Sequence, residues 1–127
     1  MKTNLLLVDD DEECLLVLAT ILSMEGYQVF NAENGIIALK VLEESQIDLV
    51  VTDVFMPDME GIGLSRAIRK QYPQMKILGI TGCGTMDVTT LRPTMESFFD
   101  SVLIKPFKSS ALLTEVDKLL KESALEK

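Results

Sequence analysis

Five short runs rich in aliphatic and β-branched residues punctuate the chain: Leu5 to Val8, Tyr27 to Phe30, Asp48 to Thr52, Lys76 to Ile80, and the stretch holding Leu103 and Ile104. They show little polar alternation, the pattern of strands whose sheet is covered on both faces, as in parallel α/β folds. Between them, apolar residues recur at helical spacing. Asp11 to Met24 sets Cys14, Leu15, Leu18, Ile21 and Leu22 on one face, and Gly26 can close that helix. From Gly35 to Ser45, Ile36, Leu39 and Leu42 predict an amphipathic helix that Asn34 can cap. A loop with Pro57 and Gly61 leads into a helix through Leu64, Ala67 and Ile68, stopped near Pro73. Thr85 to Phe99 is the expected fourth helix, shortened or kinked by Pro93. Leu112, Leu113, Val116, Leu119 and Leu120 define the last one.

Strand and helix thus alternate five times, with no linker and no internal repeat. At 127 residues, 47% of them hydrophobic, the chain is expected to form one domain over 1–127 with its core at about 3–122. No segment reaches the roughly 18 to 20 uninterrupted apolar residues of a membrane span, and no basic region precedes a long apolar stretch at the N-terminus. A soluble, cytoplasmic protein without a membrane partner is expected. Twenty acidic against twelve basic residues give a net charge of −8, which works against attraction to phosphate backbones, so no direct nucleic-acid partner is expected. The chain has no histidine, and Cys14 and Cys83 have no metal-ligand spacing; a thiol–histidine catalyst and a zinc site are excluded. Both cysteines are expected to be reduced and structural.

Charge gathers where three of the strands end. Asp9 and Asp10 follow Leu5 to Val8, Asp53 follows Leu49 to Thr52, and Lys105-Pro106 follows Val102 to Ile104. In a parallel sheet the carboxyl ends of the strands meet on one edge, where ligands bind. Three carboxylates and an ammonium there would suit a hard divalent cation with a phosphoryl group beside it. Taken singly, each residue also has a plainer reading. Asp9 to Asp11 could cap the first helix, Asp53 could be a turn residue, Thr81 a strand-end hydroxyl bonded to backbone, and Lys105 a solvated charge. Met56 and Met59 read as core filler.

Taken together, in this order on this five-fold pattern, these residues resemble the receiver domain of bacterial two-component response regulators, and chemotaxis regulators in particular. The likeness rests on Asp9-Asp10, on Asp53 in the run Asp53-Val54-Phe55-Met56-Pro57-Asp58-Met59-Glu60-Gly61, on Thr81, and on Lys105-Pro106-Phe107. It implies a flavodoxin-like, doubly wound five-stranded parallel sheet of order 2-1-3-4-5 with helices on both faces. It also implies that Asp53 accepts a phosphoryl group from the phosphohistidine of a sensor histidine kinase or histidine phosphotransfer protein, or from a small donor. Mg²⁺, or Mn²⁺ in its place, would be held directly by Asp10, Asp53 and the Phe55 backbone carbonyl, with Asp9 acting through water. Lys105 would pair with the phosphoryl oxygens, Thr81 would offer its hydroxyl, and Gly82 would leave room for the group. Phosphorylation and dephosphorylation of its own aspartate are the only chemistry implied, not turnover as an enzyme. Output or homodimerisation would use the face of the fourth helix, fifth strand and final helix.

The acidic triplet leaves its register open between Asp9-Asp10 and Asp10-Asp11; the apolar run ending at Val8 favours the first. Where many receivers carry an aromatic that swings inward on phosphorylation, three residues before Lys105, this chain has Val102. Phe98-Phe99 stand where small residues are common in the family. The loop Gly82-Cys83-Gly84 and the Pro93-interrupted helix are therefore expected to carry any switch. Two other roles stand beside the regulated receiver: a phosphorelay intermediate, and a degenerate receiver acting as an interaction module. A flavodoxin-type cofactor binder fits less well, because an acidic triplet would repel phosphate where that fold cradles it.

Overall fold

The computed structural model describes residues 2–54, 61–82 and 98–125. Five strands form one parallel sheet of order β2-β1-β3-β4-β5: β1 (Asn4–Val8), β2 (Gln28–Ala32), β3 (Leu49–Asp53), β4 (Ile77–Thr81) and β5 (Ser101–Ile104). Helices α1 (Glu12–Met24), α2 (Gly35–Glu44), α3 (Gly61–Gln71) and the C-terminal α4 (Ser109–Leu125) cover it. The expected fourth helix falls almost wholly outside the described residues; of it only Phe98 and Phe99 are described.

Alternation along the buried strands sorts the core into two layers. Leu6, Val8, Val50 and Ile77 pack with Ala38 and Leu42 of α2 and Leu64 and Ile68 of α3. Leu5, Leu7, Leu49, Val51, Leu78 and Ile80 pack with Leu15, Leu18 and Leu22 of α1 and Leu112, Val116 and Leu119 of α4. The flavodoxin-like, doubly wound fold read from the sequence is the fold observed.

Local signals set the element ends. Asp11 caps α1, its carboxylate accepting from the amides of Glu13 at 3.0 Å and Cys14 at 3.4 Å. At the other end Gly26, at φ 94°, donates to Ser23 while Tyr27 donates to Leu22, the Schellman arrangement that satisfies the last carbonyls. Asn34 caps α2 through Ile37 N, at 2.9 Å. Two expectations shift. Strand β2 begins and ends later than expected, because the Schellman turn occupies Tyr27. On α2 the buried face runs through Gly35, Ala38 and Leu42, leaving Ile36 66% exposed; Ile36 sits one residue, about a third of a turn, off that stripe.

Candidate functional site

Strands β1 and β3 are hydrogen-bonded neighbours in register, Val8 opposite Thr52, so the residues that follow them emerge side by side. That brings Asp9, Asp10 and Asp53 together: a carboxylate oxygen of each lies within 4.8 Å of the others. Their settings differ. Asp9 is buried, and its Oδ1 accepts from the Asp11 amide at 3.0 Å while its own amide donates to Ala32 at 3.1 Å. Asp10 is exposed, and Asp53 is half-buried. Asp11 is turned into its cap on α1, and the carboxylates that gather beside Asp53 are those of Asp9 and Asp10. Hard oxygen donors without sulfur or nitrogen suit Mg²⁺ or a similar cation, and three neighbouring carboxylates repel one another unless a cation stands among them.

Glycine is required where α3 begins. A Cβ on Gly61 would overlap the backbone of Asp53 and Val54, while the Gly61 amide donates to the Val54 carbonyl at 2.7 Å. This contact pins α3 directly behind Asp53. Phe55, expected to offer a backbone carbonyl, and Met56 and Met59 lie outside the described residues, as do Cys83, Gly84 and Pro93.

The cation comes from β5. Register places Ile104 opposite Thr81, and the Lys105 amide donates to the Thr81 carbonyl at 2.8 Å, so Lys105 enters the carboxylate edge from the next strands along. Its Nζ lies 3.9 Å from Asp9 Oδ2 and 3.1 Å from Cys14 Sγ. Burial alone would lower the pKa of this ammonium; the Cys14 sulfur and the Asp9 and Asp53 carboxylates outweigh it, and the value lies above the ordinary one. Thr81 is buried at the end of β4, with its hydroxyl donating to the Gly82 carbonyl at 3.2 Å. Among the described residues, an added Cβ on Gly82 would meet nothing within 4 Å. A cavity of about 480 Å³ between Asp48 and the Tyr72–Met75 turn lies at the opposite end of the strands and takes no part.

Sequence reasoning missed Cys14 as a member of this site, reading it as core. Its place in the first turn of α1, four residues after Asp10, was the available signal. The reading of Val102 needs its surroundings. Val102 pairs with Gly79 across β4 and β5, and the Phe99 ring covers that glycine, where an added Cβ would stand 3.0 Å from two ring carbons. The bulk absent at Gly79 is thus supplied by Phe99. Asp100 fastens the same flank, accepting from the Ile77 amide at 2.7 Å and from Arg69 of α3 at 2.6 Å. Ser65 of α3 donates to the Phe98 carbonyl, and the Arg66 guanidinium lies 4.8 Å from the Phe98 ring centre.

Comparison with known proteins agrees with this geometry. The family profile of the response regulator receiver domain matches residues 5–117. The response regulator receiver protein CpdR of Brucella abortus is 36% identical over 118 residues, covering 92% of this chain and 96% of that protein. The transcriptional regulatory protein GlrR of Escherichia coli is 38% identical over 121 residues; they are 95% of this chain but 27% of GlrR, so the chain spans about a quarter of that relative. Among solved structures, a CheY-like response regulator receiver domain protein from Methanospirillum hungatei superposes with a TM-score of 0.88 at 29% identity over 100% of both chains. A receiver domain protein from Clostridium thermocellum gives 0.88 at 26% identity, over 98% of this chain and 99% of that one. The chain belongs to the response regulator receiver domain family of two-component signalling. Among the described residues, no helix is long and apolar enough to cross a membrane.

Proposed function

We propose that residues 1–127 form one receiver unit, working in the cytoplasm, in which Asp53 is the phosphoacceptor. The observation that carries this reading is the convergence of Asp9, Asp10 and Asp53 to within 4.8 Å beside the Lys105 ammonium. An Asp53 carboxylate oxygen attacks phosphorus, the bond to the donor imidazole or small phosphodonor breaks, and an acyl phosphate forms. Lys105 pairs with the phosphoryl oxygens, and the Thr81 hydroxyl turns from the Gly82 carbonyl to one of them. Asp10 and Asp53, with the Phe55 carbonyl, are the proposed direct ligands of Mg²⁺ or Mn²⁺, and Asp9 acts through water. When bound, the ion neutralises the charge that would otherwise keep a carboxylate from attacking an anion. Apart from phosphorylation and dephosphorylation of its own aspartate, no catalysis is assigned.

The partners are a sensor histidine kinase or histidine phosphotransfer protein upstream and an output domain or protein downstream, the latter engaging the segment before β5, β5 itself and α4. The same face is the one on which a homodimer would form. One observation favours a second role, as a phosphorelay intermediate: half-buried Val102 is a stiff, small side chain with little volume to exchange between two states. A degenerate receiver would lack one of the acidic, hydroxyl or lysine groups, and Asp9, Asp10, Asp53, Thr81 and Lys105 are all present.

The test is incubation with Mg²⁺ and a small phosphodonor, followed by mass measurement. Wild type should gain a phosphoryl increment that is lost at alkaline pH, and Asp53→Asn should gain none while keeping its circular dichroism, because amide and carboxylate are nearly isosteric. Uptake by Asp53→Asn at the wild-type rate and site would overturn the assignment.

A further inference from the structure

The Lys105 ammonium, which the phosphoacceptor reading assigns to the phosphoryl group, is held at rest by an unexpected partner. Cys14 Sγ lies 3.1 Å from Lys105 Nζ, closer than Asp9 Oδ2 at 3.9 Å. The Asp9 carboxylate is also near enough to the thiol to raise its pKa. A thiol accepts weakly, so Cys14 can take an N–H from Lys105 beside a buried carboxylate. The backbone there is fixed: Cys14 stands in the first turn of α1, its amide bonded to the capping Asp11.

We propose that Cys14 is a positioning residue for Lys105, keeping part of the ammonium on the α1 side of the site so that the cation is shared with the acidic cluster and not surrendered to it. An ammonium has three N–H donors and no acceptor, so a donor engaged at sulfur is not engaged at Asp9 or Asp53. Sulfur is a weak enough acceptor to release that donor when phosphoryl oxygens, which are strong acceptors, arrive. Without the sulfur, the donor moves onto the carboxylates, where it competes with the incoming metal ion. A carboxylate at position 14 would hold the cation too strongly, and an alkyl group would not hold it at all. The inference rests on the phosphoacceptor reading for its consequence, but the hold on Lys105 stands separately.

The experiment is a double-mutant cycle of Cys14→Val, which keeps volume and removes the acceptor, with Lys105→Met, which keeps the stem and removes the charge. Calorimetric titration should show Mg²⁺ binding weakened about fivefold by Cys14→Val, restored by Cys14→Ser, and unaffected by Cys14→Val in the Lys105→Met background. Phosphoryl uptake should slow in Cys14→Val at limiting Mg²⁺ and recover when Mg²⁺ is saturating, a split that loss of structure would not give. In metal-free protein, the ¹³C resonance of the Asp53 carboxyl should move in Cys14→Val and not in the double variant. Equal effects in both backgrounds, or none in either, would overturn the proposal. If Cys14→Val does not fold, Cys14→Ala enters the same cycle. Wild type that takes no phosphoryl group at Asp53 would refute the phosphoacceptor reading, while the carboxyl resonance and its dependence on Lys105 would still decide whether Cys14 holds the lysine.

Discussion

Strands β4 and β5 border two regions built on opposite terms. At their carboxyl ends lies the charged edge, where Thr81 and Lys105 face Asp9, Asp10 and Asp53. Along their flank lies an apolar seam, where Gly79 pairs with Val102 and the ring of Phe99 covers the glycine. In the charged edge each group is set by its own chemistry, carboxylate, hydroxyl or ammonium, at the end of its strand. In the seam no side chain is defined by itself: Phe99 fits because Gly79 has no side chain, and Gly79 is tolerated because Phe99 covers it. The edge is written residue by residue and the seam pair by pair. The two should therefore fail separately, one in metal and phosphoryl chemistry, the other in stability.

The largest effect expected is at the seam. Phe99 is 3% exposed, and Phe99→Ala should cost about 3–5 kcal/mol, because a glycine opposite offers nothing to collapse into the void. Urea unfolding measures it, and the Mg²⁺ affinity of the folded fraction should be unchanged. The pairwise claim is sharper. Gly79→Ala alone should destabilise by about 1–3 kcal/mol through overpacking, since its Cβ would meet the ring at 3.0 Å. Combined with Phe99→Leu, it should cost clearly less than the sum of the two single changes. Strict additivity would mean that the two positions do not share a volume.

A smaller effect is expected at the charged edge. Carboxylates held within 4.8 Å repel one another in the folded chain and not in the unfolded one, so Mg²⁺ should stabilise by mass action, by about 2.7 kcal/mol at a hundredfold excess over its Kd. The melting temperature should rise with millimolar Mg²⁺ in wild type and in Phe99→Leu, but not in Asp10→Ala. A wild-type melting curve indifferent to Mg²⁺ would remove the metal from the site. A response lost in Phe99→Leu would dissolve the separation between the two regions.

The same contrast explains what the sequence disclosed. The parallel strands and the carboxylate edge were legible because buried parallel strands are uninterrupted apolar runs and because charge at their ends is conspicuous, while the strand order came from the resemblance to receiver domains. The acidic triplet left its register open by one residue, and in the fold Asp11 caps α1 through the amides of Glu13 and Cys14. Ile36 misled because a helix two-thirds apolar offers more than one stripe, and the choice falls to the sheet it lands on. Val102 read as a missing aromatic; that the ring of Phe99 lies over Gly79, the β4 partner of Val102, is a three-dimensional fact without a sequence period. Cys14 lies 91 residues from Lys105; its place four residues after Asp10 puts it near the edge but does not name the lysine as its partner.

The smallest effect expected is a pH dependence centred on the Cys14 thiol. The Cys14 thiol lies above its ordinary pKa of 9.0, raised first by burial and further by Asp9, with Lys105 pulling the other way. The unfolded thiol therefore loses its proton first. The stability it contributes is complete below 9.0 and fades as pH rises past that value, until the folded thiol ionises as well. Lys105, raised above 10.5, acts in the same direction and later: its pairing stabilises below the ordinary value and is lost as pH climbs through the folded one. Tyr27, raised above 10.0 by burial and then by Asp117 and Glu25, adds to the alkaline loss. General repulsion from a net charge of −8 also grows with pH, so the informative quantity is a difference between two proteins. Wild type and Cys14→Ser share Lys105, Tyr27 and the net charge up to the thiol itself, and serine does not ionise. Between about pH 8 and pH 10, wild type should lose more stability in urea than Cys14→Ser, while Phe99→Leu should follow the wild-type slope. Parallel curves for wild type and Cys14→Ser would mean that folding does not raise the thiol's pKa. A changed slope in Phe99→Leu would mean that the seam and the edge share their energetics.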